Sequence, residues 1–370
     1  MTSAPNLERC WAEIDPGALR HNARVARERV GSGVALLAVI KANGYGHGLA
    51  ATADALRDDA QLFGVANLRE AMETRSVVPH PVVILGPALP EERAAIVENG
   101  FIPSVSNFTE AQEFSRAAGP SALSVNCAVD TGMGRMGIAE AEVTAEFQRM
   151  RELSNVKIHS VSTHLPVADE DPAYTEAQLQ RFERALAQVR CAAPGEDYLV
   201  HALCSAGVSR FANSAFDIVR AGLMLYGASP DPELQRQLRP AMTWKTRIVL
   251  LREVAAGSSI SYGRTFITPQ VMRVATISAG YADGLPRAIS NRDAVVLIGG
   301  RRCAVLGRVT MDLTMVDVSA VPEAKAGDEV VLMGRQGDEE ILATEIAAWA
   351  STIAWEIFTG IGSRVARVYG

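Results

Sequence analysis

A lysine that closes an apolar run and is followed at once by glycines and a tyrosine marks a place for amine chemistry. In "LLAVIKANGYGHG", residues 36 to 48, Lys41 ends the run, and Tyr45 follows among Gly44, Gly46 and Gly48. Desolvation lowers an ammonium's pKa and frees its lone pair, which suits such a lysine to a Schiff base with a carbonyl cofactor. The glycines would let the backbone approach a ligand closely, and Tyr45 adds a hydroxyl donor. The plain alternative is a lysine that ends a strand and reaches back to water.

Other reactive types sit at the ends of later apolar runs. "VRAGLMLYG" (219–227) offers Arg220 and the backbone amides of Gly222 and Leu223, in the kind of turn that binds phosphate. "HALCSAG" (201–207) places Ser205 where its hydroxyl could join them. His164 ends another run, and Arg135 lies in the glycine-rich "DTGMGRMG" (130–137). Singly these read as a turn, a capping serine, a hydrogen-bonded histidine and a surface arginine. Their recurrence at successive run ends favours one shared site. Further on, "ISYGRTF" (260–266) holds Tyr262, and "GRVTMDLTMVDV" (307–318) sets Met311 and Asp312 at an expected strand start. Taken alone, Tyr262 reads as a packed hairpin tyrosine.

The elements that must carry these groups alternate. Asp15-Pro16 predicts a helix start, with proline at the first helical position and the helix running through Val30. Eight apolar runs, each followed by a helical pattern, cover 35–40, 62–66, 81–85, 101–105, 123–129, 156–164, 198–203 and 216–222. That alternation predicts a parallel sheet, and eight repeats favour a closed (β/α)₈ barrel of the TIM type, an α/β fold. In such a barrel the C-terminal strand ends face the active-site mouth, which is where Lys41 falls. After a polar, proline-bounded linker at 229–240, β-rich runs separated by turn residues predict a mainly antiparallel β domain. It contains a single helical stretch (343–350) and a final strand (364–369). The expected division is a cofactor-binding barrel over 14–235 and a β domain formed by 1–13 plus 236–370.

Composition narrows the classes. Of the 370 residues, 48% are hydrophobic and 21% charged, which describes an ordinary globular chain with ample core. A formal net charge of −6 with interspersed signs predicts no nucleic-acid or anionic-membrane partner. The five cysteines (Cys10, Cys127, Cys191, Cys204, Cys303) show no CxxC pair or zinc spacing, so no metal site is expected and reduced thiols in a cytoplasm fit best. No signal-like N-terminus and no run of about 18 apolar residues is present, so a cytoplasmic, membrane-free protein is expected.

"WAEID", "AVIKANGYGHG", "DTGMGRMG", "STHLPVADE", "VRAGLMLYG", "SYGRTF", "AGYADGLPR", "GRVTMD" and "GSRVARVY" occur in this order almost end to end. On these motifs the chain resembles the bacterial alanine racemases, pyridoxal 5'-phosphate enzymes that supply D-alanine for peptidoglycan. The resemblance implies a head-to-tail homodimer with shared sites and an opening strand near Trp11 that joins the β domain. It implies that Lys41 is the cofactor lysine and one acid–base group, with Tyr262 of the partner subunit as the other. Two bases on opposite faces of a planar carbanion are what racemization requires. Arg220 matches the arginine facing the pyridine nitrogen, and His164 a neighbour of that arginine. Tyr45, Ser205, Gly222 and Leu223 match phosphate ligands. Arg135, Met311 and Asp312 match groups near the substrate, and Tyr281 an entryway residue.

The chain departs from the family pattern at three positions. Ala128 stands where many members carry a carbamylated lysine that holds the arginine matched by Arg135. Arg135 must then be oriented by Asn126, a bound anion or water. Cys204 replaces a common asparagine before the phosphate-binding serine. Trp355 replaces a tyrosine that contacts phosphate and lines the entrance, and an indole donates one N–H but accepts nothing. The alternatives are a racemase of broader specificity, for example toward serine, a cofactor-binding regulatory protein, and a decarboxylase sharing the fold. Tyr262 and its whole β domain weigh against the regulatory protein. A missing cysteine motif and the short length weigh against the decarboxylase.

Overall fold

The protein is described here as a computed structural model over residues 8–370, apart from 193 and 196. The first seven residues of the expected β-domain segment 1–13 therefore lie outside the described residues. The chain divides into two compact units. One comprises the chain up to Ala18, Tyr45–Gly48 and Pro240–Gly370; the other comprises Leu19–Gly44 and Leu49–Arg239.

The strands up to residue 221 are, in chain order, β1 (Cys10–Ile14), β2 (Ala35–Val39), β3 (Leu62–Val65), β4 (Val82–Ile84), β5 (Ile102–Val105), β6 (Leu123–Asp130), the short β7 (Ile138–Ala139), β8 (Val156–Ser162), β9 (Leu199–His201) and β10 (Ile218–Ala221). Their sheet runs β10-β2-β3-β4-β5-β6-β8-β9, all parallel, and β7 pairs only with β6. The eight-stranded barrel is nearly closed. Its last seam carries no strand ladder but backbone bonds from Asp217 N to Val200 O (3.0 Å) and from Arg220 N to Leu203 O (2.9 Å). Strands buried on both faces need continuous apolar sequence, which is what "ALLAV" and "LFGV" supply. All eight expected runs contain a barrel strand. The linker at 229–240 is not wholly irregular, because Pro232–Gln235 forms a helical turn capped by the Asp231 side chain. Aspartate followed by proline at the first helical position is a start signal in its own right.

The opening helix spans Pro16–Val30, with the Asp15 carboxylate accepting from Gly17 N (2.7 Å) and Ala18 N (3.1 Å). Two later helices share another start: Asn67 caps Leu68–Arg75 and Asn107 caps Phe108–Ala118, each through its side-chain oxygen.

In the other unit the 13-residue strand Met242–Val254 (β11) is the spine. It pairs antiparallel with β1, with Met272–Ile277 and with Glu329–Gln336, while β1 also pairs in parallel with Ala366–Tyr369. Its first half alternates in burial, with Met242, Trp244, Thr246 and Ile248 inward. Two expectations here are corrected. A second helix, Ala354–Gly360, follows Ala343–Ala350 after a break of Ser351, Thr352 and Ile353. That break contains neither glycine nor proline, so it lacks the usual stop signal. Met311 and Asp312 lie in a loop before the strand Thr314–Asp317, not at its start. Among the described residues no helix is long and apolar enough to cross a membrane.

Candidate active site

Lys41 follows β2 directly and opens an unusual turn. Ala42 (φ 53°, ψ 51°), Asn43 (φ 56°, ψ 47°) and Gly44 (φ 59°, ψ 43°) are all left-handed, and Tyr45 continues at φ 50°. Three of these four residues carry a Cβ, so the segment is strained. It is held by Gly44 N donating to Ile40 O (2.8 Å), by Leu49 N donating to Asn43 Oδ1 (3.0 Å), and by the Glu70 carboxylate accepting from Ala42 N (2.7 Å).

The glycines of this stretch serve packing rather than the expected close approach of a ligand. A Cβ on Gly44 would meet Thr52 Oγ1 at 2.7 Å. One on Gly46 would strike the Phe358 carbonyl, and one on Gly48 the Tyr369 hydroxyl. Arg367 Nε donates to Gly46 O (3.0 Å), so the Tyr45–Gly48 segment is fixed from its own unit. Tyr45 itself is buried.

The barrel unit brings Lys41, Arg135, His164 and Arg220 into one electrostatic group. Burial first, then Arg135, hold the Lys41 ammonium below its ordinary range, with Glu70 opposing them. His164 is pushed down to about 3 by burial and then by Arg220, Arg135 and Lys41, so it is neutral at physiological pH. Arg220, buried at the end of β10, is lowered to about 10 by burial and stays protonated at pH 7.

The Arg220 fork is saturated by the ends of neighbouring strands. Nη1 donates to His201 Nδ1 (2.6 Å) and His201 O (3.0 Å). Nη2 donates to Thr163 O (2.6 Å), Ala202 O (2.8 Å) and His164 Nδ1 (3.3 Å). Its Nε–H has no acceptor among the described residues. Both histidines receive at Nδ1, which assigns their protons to Nε2.

Ser205 Oγ accepts from Gly222 N (2.9 Å) and Met224 N (3.3 Å), so serine and amides meet as expected, while the Leu223 amide between them has no acceptor among the described residues. Cys204 stands at the N-cap of Ser205–Arg210 without a side-chain capping bond.

Arg135 is exposed and makes no hydrogen bond or ion pair among the described residues. Asn126 does not hold it. That buried amide donates to Ser104 Oγ (2.9 Å) and accepts from Ser160 Oγ (3.0 Å). The Arg135 loop is shaped instead by Asp130, whose carboxylate accepts from the amides of Gly132, Met133 and Gly134 at 2.8–3.2 Å.

The other unit holds the remaining candidates. Tyr262 sits in a single turn, Tyr262–Arg264, between the paired strands Ser259–Ile260 and Phe266–Ile267. It is 71% exposed, which overturns the packed-hairpin reading. Tyr281, Met311 and Asp312 belong to two loops stitched together. Tyr281 N donates to Thr310 O (3.0 Å) and Ala282 N to Met311 O (3.0 Å), and Arg364 bridges Asp283 and Asp312 at 3.0 Å each. Trp355 is half-buried near the start of its helix.

Sequence reasoning missed Glu70 and His201. The Asn67-Leu68-Arg69-Glu70 capping pattern signals the first, and His201 at the end of β9 was as visible as His164.

Family models match in two adjoining segments: "Alanine racemase, N-terminal domain" over residues 14–230, and "Alanine racemase, C-terminal domain" over 241–369. The chain is 41% identical to the alanine racemase of Methylacidiphilum infernorum, covering 99% of this chain and 94% of that one. It is 43% identical to that of Symbiobacterium thermophilum, covering 97% of each. Among solved structures it is similar to alanine racemase from D-cycloserine-producing Streptomyces lavendulae, with a TM-score of 0.91, 35% identity, and coverage of 98% and 97%. The Bacillus anthracis enzyme with bound L-Ala-P gives a TM-score of 0.89 at 33% identity, covering 99% and 96%.

Proposed function

The chain belongs to the alanine racemase family, and from that premise we propose that it interconverts L- and D-alanine as a pyridoxal-phosphate-dependent isomerase. The observation that carries this reading is the cluster of Lys41, Arg135, His164 and Arg220, in which, among the described residues, no carboxylate forms an ion pair with the lysine or either arginine and Glu70 acts on Lys41 at longer range. Such a net excess of positive charge fits a phosphorylated cofactor and a carboxylate substrate.

The residues present fit that cofactor. The Leu223 amide, without an acceptor among the described residues and beside Gly222 and Ser205, suits its phosphate; Tyr45 and Trp355 are further phosphate contacts that the family likeness implies. The unpartnered Nε–H of Arg220 suits its ring nitrogen. Bound there, pyridoxal phosphate supplies a carbonyl for amines and a ring that acidifies the substrate Cα–H. Arg220 stays charged, so it would donate to the ring nitrogen without handing over a proton. His164, neutral, keeps Arg220 oriented. Lys41, with its lowered pKa, would hold the cofactor carbonyl and, once displaced from it by the substrate amine, would move the Cα proton on one face. Tyr262 of the partner subunit moves it on the other, and the high exposure of the Tyr262 turn supports a role toward a second chain. Arg135 takes the substrate carboxylate, and the family likeness implies that Met311, Asp312 and Tyr281 act near the substrate and its entryway. A homodimer in the cytoplasm, supplying D-alanine for peptidoglycan, completes the reading.

A serine preference is not favoured, since the full-length relatives are alanine racemases. The test is a racemization assay on L-Ala, L-Ser, L-Lys and L-Arg with added pyridoxal phosphate, followed by chiral separation. Alanine should lead by about tenfold or more. Equal turnover of serine would overturn the substrate, and no turnover of any would overturn the reaction.

A further inference from the structure

We propose that Glu70 is a positioning residue for Lys41: its carboxylate ties the left-handed turn after β2 to the end of β3 and so fixes the amine's aim. The proposal rests on Lys41 being the reacting amine.

Glu70 is the third residue of the helix Leu68–Arg75, and its own N–H donates to the cap oxygen of Asn67 (3.0 Å). A glutamate at this position ordinarily reaches back to the start of its own helix. Glu70 does so with one oxygen, as Oε2 accepts from Ala66 N (2.9 Å). The other oxygen leaves the helix. Oε1 accepts from Ala42 N (2.7 Å) and, at longer range, from Asn43 N (3.4 Å).

The chain contains its own control. Asn107 and Glu110 repeat the motif two strands later, with Glu110 N on Asn107 Oδ1 (2.8 Å) and Ser106 N on Glu110 Oε2 (2.7 Å). The Glu110 carboxylate makes no further hydrogen bond among the described residues. Helix capping therefore needs one carboxylate oxygen, and Glu70 commits its second to the amides that follow Lys41. Those amides belong to strained residues, so the bonds hold a conformation the sequence does not favour by itself. Glu70 is also the acid that opposes burial and Arg135 in setting the Lys41 charge; His164 is the remaining titratable group that couples to it.

The test compares Glu70→Gln, Glu70→Asp and Glu110→Gln in the full chain, with folding checked by circular dichroism. Lys41 is titrated in cofactor-stripped protein by competitive acylation and mass spectrometry, and kcat and KM are measured after reloading. Removing the Glu70 charge takes away an effect that raises the Lys41 pKa, so the Glu70→Gln midpoint should fall by roughly half a pH unit. Its kcat should drop about tenfold or more, with KM changing less than about threefold. Glu70→Asp, charged but too short for both tethers, should keep the midpoint and still lose kcat. Glu110→Gln should move neither. An unmoved midpoint and kcat in folded Glu70→Gln, or equal losses in Glu110→Gln, would overturn the tether. Racemization by Lys41→Ala would instead contradict the role given to Lys41.

Discussion

Lys41 and the two histidines beside Arg220 share one cause, burial next to fixed positive charge. His164 sits at about 3, and His201 well below its ordinary value for the same reason. Both are depressed relative to the unfolded chain, so the stability they carry is fully present above about pH 6.5 and is lost as pH falls below it. For His164 the loss by pH 5 should be about 2 kcal/mol. Thermal unfolding of the cofactor-free chain from pH 7 to 5 should show this slope, and His164→Asn should flatten it; equal slopes in the two proteins would contradict the neutral assignment. Ala128 bears on Arg135 in another way. Alanine cannot be carbamylated, and no side chain among the described residues pairs with the guanidinium. Racemization should therefore respond to halide titration into halide-free buffer and not to bicarbonate. A bicarbonate response alone would contradict this account of Arg135.

At the scale of elements, the turn after β2 decides how Lys41 is presented. Left-handed residues with a Cβ cost about 1–2 kcal/mol each. Ala42→Gly should therefore stay within about 1 kcal/mol of the parent, on the stabilising side once the glycine's chain entropy is counted. Gly46→Ala should destabilise by at least about 2 kcal/mol, because its φ of 79° and the Phe358 carbonyl both exclude a Cβ. Denaturant unfolding of both variants checks the pair. These same residues show how far the sequence could be read. The stretch 43–48 announces itself by its glycines, yet their partners Phe358 and Tyr369 are remote in sequence, so composition assigned them to a ligand. The eight barrel strands were legible because burial on both faces forces continuous apolar runs. The helix bearing Trp355 and the loop bearing Met311 were not, since neither boundary carries a turn or cap signal. The Tyr262 hairpin was legible as a hairpin, but its outward turn depends on positive φ at Ser261, Gly263 and Arg264, of which only the glycine is marked in sequence.

At the scale of the whole molecule, the proposed acid–base pair is split between the two compact units: Lys41 lies in one and Tyr262 in the other. In the proposed dimer each site takes Lys41 from one subunit and Tyr262 from its partner, so the two residues can be damaged on separate chains. Subunit mixing is the most direct test. Lys41→Ala and Tyr262→Phe are each expected to be inactive alone. Mixed in equal amounts and reassembled, half of the dimers should be mixed, each with one intact site and one doubly damaged site, restoring about a quarter of parental racemization. Mixed dimers demonstrated by native mass spectrometry and yet devoid of activity would contradict the shared site.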